Sequence, residues 1–464
     1  MADPAGQEKR WLVLAAVLAG TVMGPLDASI VYIALPVIGE DFHALPTAVG
    51  WVSMSYLLIM GSFLLSFGRL GDIFGFKRIY LAGLIVFVMT SALCGLAPNL
   101  ITLVVLRAFQ AVGAGLSMSL VPSIITVVFP QQERGRALGI NAMAVAFGLA
   151  VGPVLGGLLV DSVGWRTIFF VNIPLGIIAC LWSYNLIPEN EEKARAHFDW
   201  KGSVLAFGAL SALLLFASEG ESYHWSAVIF VIGATAVLLF MLFIRLESSI
   251  PEPMLDLSLF RNRIFSAGNG AALLNFMTQY IIVFLCPFFL QKALGYSASR
   301  SGLTMVAFPL TVLVIAPISG ALSDRFGQRW LSFFGSLLCT LSAGSMFTLS
   351  QYSTPLDVSL RLAVFGLGTG LFQSPITSAV MGSVPKNRLG IAGGVFSTTR
   401  NIGMVFGIAL GGAVLNARQA FYLVRDFDMA FLYGIKDAFF AALLVSALAT
   451  VISVFCYQKS RQKA

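Results

Sequence analysis

A chain of 464 residues that is 58% hydrophobic and only 11% charged, with mean hydropathy +0.87, is not an ordinary soluble domain. Such domains devote roughly a quarter of their residues to Asp, Glu, Lys and Arg. The net charge of +7 does not mark a nucleic-acid binder, because the cations are dispersed over short loops, as the positive-inside bias of membrane proteins requires.

In chain order, about ten polar residues precede Trp11, and apolar runs then fall near 11–38, 48–69, 78–97, 100–128, 135–160 and 166–187. Two more lie near 202–219 and 225–246, and a last six near 264–291, 300–322, 330–350, 358–383, 388–416 and 434–457. Each approaches or exceeds the roughly 20 apolar residues that cross a bilayer, so about fourteen transmembrane helices are expected. The first run has no small-residue cleavage site and reads as an uncleaved first helix. The charged stretch from Pro188 to Lys201 and the polar segment from Arg245 to Arg263 divide the series into six, two and six. The division is an N-terminal six-helix bundle (1–187), linkers with two extra helices (188–262) and a C-terminal six-helix bundle (263–464).

Loop charge sets the orientation. Lys9, Arg10, Lys77, Arg78, Arg134, Arg136, Lys193, Arg195, Lys201, Arg245, Arg261, Arg263, Arg325, Arg329, Lys386, Arg388 and the Lys459–Lys463 tail all fall on one side of an even helix count. Both termini are therefore expected in the cytoplasm. The loop from Arg418 to Lys436 fits least well, being external yet mixed in charge. The five cysteines (Cys94, Cys180, Cys286, Cys339 and Cys456) lie inside apolar runs without metal-ligand spacing, so neither a disulfide framework nor a metal site is expected.

One phrase is written twice. Gly68-Arg-Leu-Gly-Asp72-Ile-Phe-Gly75 returns 252 residues later as Gly320-Ala-Leu-Ser-Asp324-Arg-Phe-Gly327, each copy between two apolar runs and with cations just downstream. A second pair, Leu106-Arg107 with Gly113 and Gly115, and Leu360-Arg361 with Gly366, Gly368 and Gly370, is offset by 254 residues. Repetition at this distance implies two homologous half-domains, an architecture found in transporters. Glycines permit a tight turn, and an Asp there can accept from the N-terminus of a neighbouring helix. Gly68, Asp72, Gly75, Lys77, Arg78, Asp324 and Arg325 are thus candidate parts of a cytoplasmic gate; the plainer reading is a short loop that collects such residues.

These phrases resemble the cytoplasmic loop signature of the major facilitator superfamily, G-x-L-x-D-x-x-G-R-K, and the chain is most similar to its fourteen-span drug/proton antiporters. Leu26-Asp27-Ala-Ser-Ile-Val-Tyr-Ile-Ala-Leu-Pro36 resembles that family's L-D-x-T-V-V-N-V-A-L-P, and Trp51-Val-Ser-Met-Ser-Tyr56-Leu-Leu its W-V-x-x-x-Y-L-L. Arg107-x-x-Gln110-x-x-Gly113 is similar to R-x-x-Q-G-x-G, and Gly148-x-x-x-Gly152-Pro153-x-x-Gly156-Gly157 to the antiporter motif. Trp165-Arg166-x-x-Phe169-Phe170-x-Asn172-x-Pro174-x-Gly176 and the Leu255–Phe265 segment also look like family signatures. Ile73 and Phe76 stand where the family usually has basic residues. The resemblance implies an all-α polytopic protein of the major-facilitator fold, two six-helix bundles plus two central helices.

It also implies roles. Asp27 is the carboxylate placed well inside an apolar span, where an ionised acid is paired, protonated or water-facing. The resemblance makes it a proton-coupling acid; helix packing is the other reading. Asp27 and Arg107 fall at similar depth in the outer half of spans one and four, counted at about 1.5 Å per residue, and the family fold sets those spans side by side. Arg107 is therefore its expected partner, unless it snorkels outward. The Gly148–Gly157 ladder allows close helix packing, and Pro153 a bend; the resemblance adds a role in exchange. Tyr32, Tyr56, Gln110, Asn275, Gln279, Tyr280, Phe284 and Gln373 are candidate cavity residues, an aromatic set suited to lipophilic cations. Arg400-Asn401, with Gly403 and Gly407, resembles a further signature and reads as structural, at the cytoplasmic end of its span.

The expectation is a proton-coupled exporter of amphipathic or cationic drugs in a bacterial cytoplasmic membrane. It would need no cofactor and no nucleic acid, and would function as a monomer. An exporter of one metabolite, an uptake symporter and a membrane receptor are the rivals. Nothing points to an enzyme: there is no nucleotide-binding loop, and the three histidines (His43, His197, His224) lie in loops.

Overall fold

A computed structural model describes residues 4–189, 200–219, 226–249, 257–385, 388–424 and 429–456. The first helices are α1 (Pro4–Asp41), α2 (Pro46–Phe74), α3 (Phe76–Gly95), α4 (Leu100–Met118), α5 (Val121–Val128) and α6 (Gln131–Ser162). There follow α7 (Thr167–Phe170), α8 (Asn172–Leu186), α9 (Trp200–Glu219), α10 (Ala227–Glu247), α11 (Arg263–Phe288) and α12 (Ala298–Met305). The last are α13 (Ala307–Phe326), α14 (Gln328–Phe347), α15 (Pro355–Gly382), α16 (Leu389–Leu423) and α17 (Ala430–Val454). Among the described residues there is no strand, and 14 helical segments are long and apolar enough to cross a membrane. The fold is the all-helical, fourteen-span one expected.

Three spans are each built from two helices, α4–α5, α7–α8 and α12–α13, and each second helix carries Pro122, Pro174 or Pro309 in its first turn. There the missing N–H of proline has no intrahelical partner to lose. Asn99, Asn262 and Thr354 cap α4, α11 and α15 by accepting from Thr102 N (2.8 Å), Ile264 N (2.9 Å) and Asp357 N (3.2 Å), meeting the orphan donors of a helix start.

The chain forms two compact units. Unit 1 is Met1–Ala44, Trp51–Phe207 and Ser297–Leu303; unit 2 is Leu45–Gly50, Gly208–Tyr296 and Thr304–Ala464. The two extra spans divide unevenly: α10 belongs to unit 2, and α9 passes from unit 1 to unit 2 after Phe207. In unit 1, α1 lies against α6 and α8, and α3 against α4 and α8. In unit 2, α14 packs on α15 and α17, and α11 on α16 and α17.

Each unit contains the same backbone-to-backbone crossing. A Cβ on Gly83 would lie 2.8 Å from Gly113 O, and one on Gly113 would lie 2.8 Å from Gly83 O and 2.5 Å from Phe87 N. In unit 2 a Cβ on Gly335 would lie 2.8 Å from Gly368 O, and one on Gly368 2.8 Å from Gly335 O and 2.7 Å from Cys339 N. Only hydrogen fits at such contacts, the small-residue mode of membrane helix packing. The repeated loop phrase also ends alike in both copies. Gly75 (φ 96°) and Gly327 (φ 82°) hold the left-handed backbone that breaks α2 from α3 and α13 from α14, and glycine takes it without penalty.

One expected boundary is corrected. The run ending at 416 placed Arg418 in an external loop before the next run at 434, but α16 continues to Leu423 and α17 begins at Ala430. The physical reason is local pairing. Arg418 Nε donates to Asp437 Oδ2 at 2.5 Å, and Arg418 Nη2 to Tyr422 Oη at 3.0 Å. Tyr422 Oη in turn donates to Asp437 at 3.1 Å, so the helices extend past their apolar cores. Arg425 lies outside the described residues.

Candidate functional site

The most enclosed charges in unit 1 are Asp27 on α1 and Arg107 on α4, at 0% and 1% exposure. Arg107 Nη1 donates to Asp27 Oδ2 at 2.5 Å. Gln110, one turn along α4 on the same face, accepts from Arg107 Nη1 at 2.7 Å and donates through Nε2 to Asp27 Oδ1 at 3.1 Å. Asn172, the first residue of α8, donates to the same Oδ1 at 2.8 Å and to Ser91 Oγ at 3.0 Å. Ser91 Oγ donates onward to Phe169 O at 2.8 Å, and Arg107 Nε to Val52 O at 3.2 Å. The guanidinium lies over the Tyr56 ring (4.5 Å) and near Phe169 (5.7 Å). Asp27 thus has three side-chain donors, one of them the facing cation, the kind of pairing that a carboxylate away from water requires. Removing one partner from such a pair is expected to cost about 3–5 kcal/mol.

Neighbouring helices lock this cluster. The Trp165–Gly176 signature docks on α1 twice: Trp165 Nε1 and Arg166 Nη1 each donate to Asp41 at 3.0 Å, and Asn172 reaches Asp27 mid-helix. On the other side, Cβ atoms on Gly148 and Gly156 would meet Val22 O and Ile30, each at 2.8 Å, and Gly152 faces Ser29. Ser29 Oγ donates to Gly148 O at 3.2 Å. The antiporter-motif glycines therefore seat α6 on the stretch of α1 that carries Asp27. Gly157 alone faces elsewhere, 2.5 Å in Cβ terms from Ala298 O, while Asp161 accepts from Ala298 N (3.0 Å) and Ser299 N (2.8 Å) at the start of α12. Gly302 lies against the Pro153 carbonyl.

Of the eight cavity candidates, Tyr32, Tyr56 and Gln110 belong to unit 1, and Asn275, Gln279, Tyr280, Phe284 and Gln373 to unit 2. Gln110 and Tyr56 belong to the Asp27 cluster, Gln110 by its hydrogen bonds and Tyr56 under the Arg107 guanidinium, and both are buried, at 0% and 4% exposure. Tyr32, Asn275, Tyr280 and Phe284 are buried too, Asn275 near the Cys339 thiol and Phe284 stacked obliquely on Phe288. Only Gln279 and Gln373 are partly open, and they bond to each other at 3.2 Å. Of the gate candidates, Gly68 lies within the last two turns of α2, Gly75 is the residue that parts α2 from α3, Lys77 lies 5.3 Å from the Tyr184 ring centroid and Arg78 is exposed. The side chains of Asp72, Asp324 and Arg325 lie outside the described residues. Asn172 and Ser91 join the candidate site without having been singled out in the sequence. The signal for Asn172 was present, an amide inside an apolar run within a quoted signature.

The family model described as Major Facilitator Superfamily matches residues 17–408, with a second match over 269–463. The chain belongs to the major facilitator superfamily. Among curated members it is 32% identical to the riboflavin transporter RibZ of Clostridioides difficile (strain 630), over 98% of this chain and 99% of that protein. It is 35% identical to the multidrug resistance protein Stp of Mycobacterium tuberculosis, over 88% of this chain and 76% of that one. It is 33% identical to the tetracenomycin C resistance and export protein of Streptomyces glaucescens, over 88% and 76%. Among solved structures, a bacterial homologue of the human lysosomal transporter Spinster, inward-facing and occupied, aligns over 98% of this chain and 97% of its own with TM-score 0.70 at 16% identity. That likeness is one of fold. The chain is thus a multi-pass membrane transporter of the superfamily.

Proposed function

We propose that this transporter exports amphipathic organic compounds in exchange for protons, with Asp27 as the proton-carrying group and Arg107 as its internal counter-ion. One observation carries the reading: a carboxylate sealed inside a span, held by a guanidinium and two amides that all suit its ionised form. A proton arriving at Asp27 removes the charge that holds Arg107 and leaves the Gln110 and Asn172 donors facing a weaker acceptor. The cluster then has reason to open, and α1 and α4 to shift against α6 and α8. Alternating access between two half-domains turns such a local change into transport. The positive loops support cytoplasmic termini in a bacterial inner membrane, the repeat supports the division into two six-helix bundles and a central pair, and the chain is read as a functional monomer.

The test is dye movement in everted membrane vesicles under an imposed proton gradient, with ethidium, rhodamine 6G and fluorescein as probes. Wild type is expected to drive at least one probe, and Asp27→Asn to lose gradient-driven movement while retaining binding. Normal gradient-driven transport by Asp27→Asn overturns the coupling role. The full-length match to a riboflavin transporter favours a second reading, a carrier dedicated to one metabolite. Movement of riboflavin and none of the dyes would select it, and the direction of movement separates export from uptake.

A further inference from the structure

The donors on Asp27 are not alike. Arg107 and Gln110 reach it from α4, and Asn172 from the start of α8. Nδ2 of Asn172 uses one hydrogen on Asp27 Oδ1 at 2.8 Å and the other on Ser91 Oγ at 3.0 Å. Its carbonyl oxygen Oδ1 is buried and has no hydrogen-bond partner among the described residues. A buried amide oxygen without a donor is costly, and such an exception in a native site calls for an explanation. Packing does not supply one, because an apolar side chain of the same shape would fill the space without that penalty.

A protonated Asp27 would turn from acceptor to donor, and its O–H would need an acceptor inside the cluster. The charged or titratable groups around it are Arg107 on α4, Tyr56 on α2 and Cys94 on α3. On α1 itself Tyr32 stands about 8 Å further along, and Tyr80 of α3 meets α1 at Val17 O, about 15 Å away along the helix. The described charges of α6 (Glu133, Arg134, Arg136 and Asp161) lie toward its ends, and α5 and α7 carry none. On α8, Cys180 and Tyr184 stand about two and three turns beyond Asn172. Of all these only Arg107 hydrogen-bonds to the carboxylate, and a guanidinium cannot accept. The two amides remain. Gln110 is fixed, since its Oε1 accepts from Arg107 Nη1 at 2.7 Å and from Cys94 Sγ at 3.7 Å. Exchanging its oxygen and nitrogen would set an NH2 group against the guanidinium.

We propose that Asn172 is the positioning residue for the protonated state of Asp27: when the carboxylate takes a proton at Oδ1, the Asn172 amide turns over and its own oxygen accepts that O–H. The proton comes from water, one O–H bond forms, the carboxylate charge is lost, and no other covalent bond changes. Amide oxygen and nitrogen are nearly the same size, so a half-turn about χ2 needs no additional room. The turned oxygen would lie between Asp27 Oδ1 and Ser91 Oγ, where Nδ2 lies now. The Ser91 hydroxyl, which donates to Phe169 O at 2.8 Å, can rotate to donate to it instead. The unpaired end of the amide passes from oxygen to nitrogen, so the turn leaves Asn172 no worse paired. Arg107 can then part from a neutral acid that still has a partner. The inference rests on the reading of Asp27 as the proton carrier and adds the group that answers to its protonation.

Infrared difference spectra between acidic and neutral pH, taken on the purified full chain in nanodiscs, test the two readings separately. Wild type is expected to gain a protonated carboxyl band that Asp27→Asn lacks. An asparagine side-chain carbonyl band, identified by carbon-13 labelling of asparagine, should move to lower wavenumber on acidification as its oxygen gains a donor. Asn172→Leu should remove that band and shift the Asp27 carboxyl band to higher wavenumber, because the O–H has lost its acceptor. Asn172→Gln keeps an amide with little loss of polarity and should take the band out of the asparagine label, which keeps the assignment open if the leucine variant does not fold. In everted vesicles Asn172→Leu should slow gradient-driven dye movement by about tenfold, the effect of one hydrogen bond missing from one protonation state, and Asn172→Gln should slow it less. Absence of any Asp27-dependent carboxyl band overturns the coupling reading and the inference with it. A carboxyl band without a moving asparagine carbonyl overturns the inference alone, as does an Asn172→Leu protein whose carboxyl band stays at the wild-type position.

Discussion

In unit 1, α3 and α4 cross at Gly83 and Gly113; in unit 2, α14 and α15 cross at Gly335 and Gly368, with the same reciprocal carbonyl contacts. Around these matched crossings the polar chemistry diverges. The residue 252 positions beyond Asp27 is Gln279, and the one 254 beyond Arg107 is Arg361. Asp27 and Arg107 join two helices through a sealed ion pair. Gln279 instead shares a neutral bond with Gln373 at 3.2 Å, and Arg361 turns to Asp357 on its own helix at 2.9 Å and to Ser345 O and Thr348 Oγ1 near the end of α14. At the positions that answer to Asp27 and Arg107, unit 2 therefore has no ion pair between helices; its interhelical pair, Arg418–Asp437, sits near the ends of α16 and α17 instead. A buried pair is weak evidence for stability in any case, so the pair in unit 1 is better explained by what it does than by what it holds up.

The sharpest way to break this comparison is to remove the two arginines in turn. Arg107→Ala strands Asp27 and should lower unfolding stability in nanodiscs by about 3–5 kcal/mol. The double variant Asp27→Asn/Arg107→Gln should recover most of it. Arg361→Ala, in a half-exposed i,i+4 pair, should cost less than about 1 kcal/mol, and an equal loss at both sites would show that the halves are not chemically distinct. The crossings come next. Gly113→Ala and Gly368→Ala should each cost about 1–3 kcal/mol by overpacking, and by similar amounts, because each Cβ would fall within 2.7 Å of a backbone nitrogen on the opposing helix. Tolerance at one site alone would separate the two crossings. Smallest is Gln279→Ala, where losing one interhelical bond inside a membrane protein should cost about 0.6 kcal/mol by thermal unfolding.

Most of the architecture was legible because the bilayer imposes one rule, a long apolar run for each span, and because the loop phrase was repeated. Depth counting was enough to place Asp27 and Arg107 level with each other. The remaining partners of Asp27 were not legible, since Gln110 and Asn172 reach it only through the packing of three helices that sequence distance does not encode. The same holds for the crossings: among 45 glycines, nothing local distinguishes Gly83 or Gly335 from the other glycines inside the apolar runs. The ends of α16 and α17 were misjudged for a different reason. Hydropathy treats Arg418 as a loop residue, whereas its 2.5 Å pair with Asp437 lets α16 stay helical beyond the apolar run.

The sealing of Asp27 and Arg107 also decides how this protein should respond to its ionic surroundings. Mobile ions screen charges they can approach, over about 10 Å at 0.1 M salt, and act far less on pairs enclosed by protein. With 0% and 1% of these side chains exposed, the attraction between them is set by the protein rather than by the medium. Arg166–Asp41 and Arg418–Asp437, with 42% of each arginine exposed, sit within reach of solution ions. Raising salt should therefore loosen the helix-end contacts while leaving the central pair untouched, so that the core of unit 1 keeps the same electrostatic setting in dilute and in concentrated media.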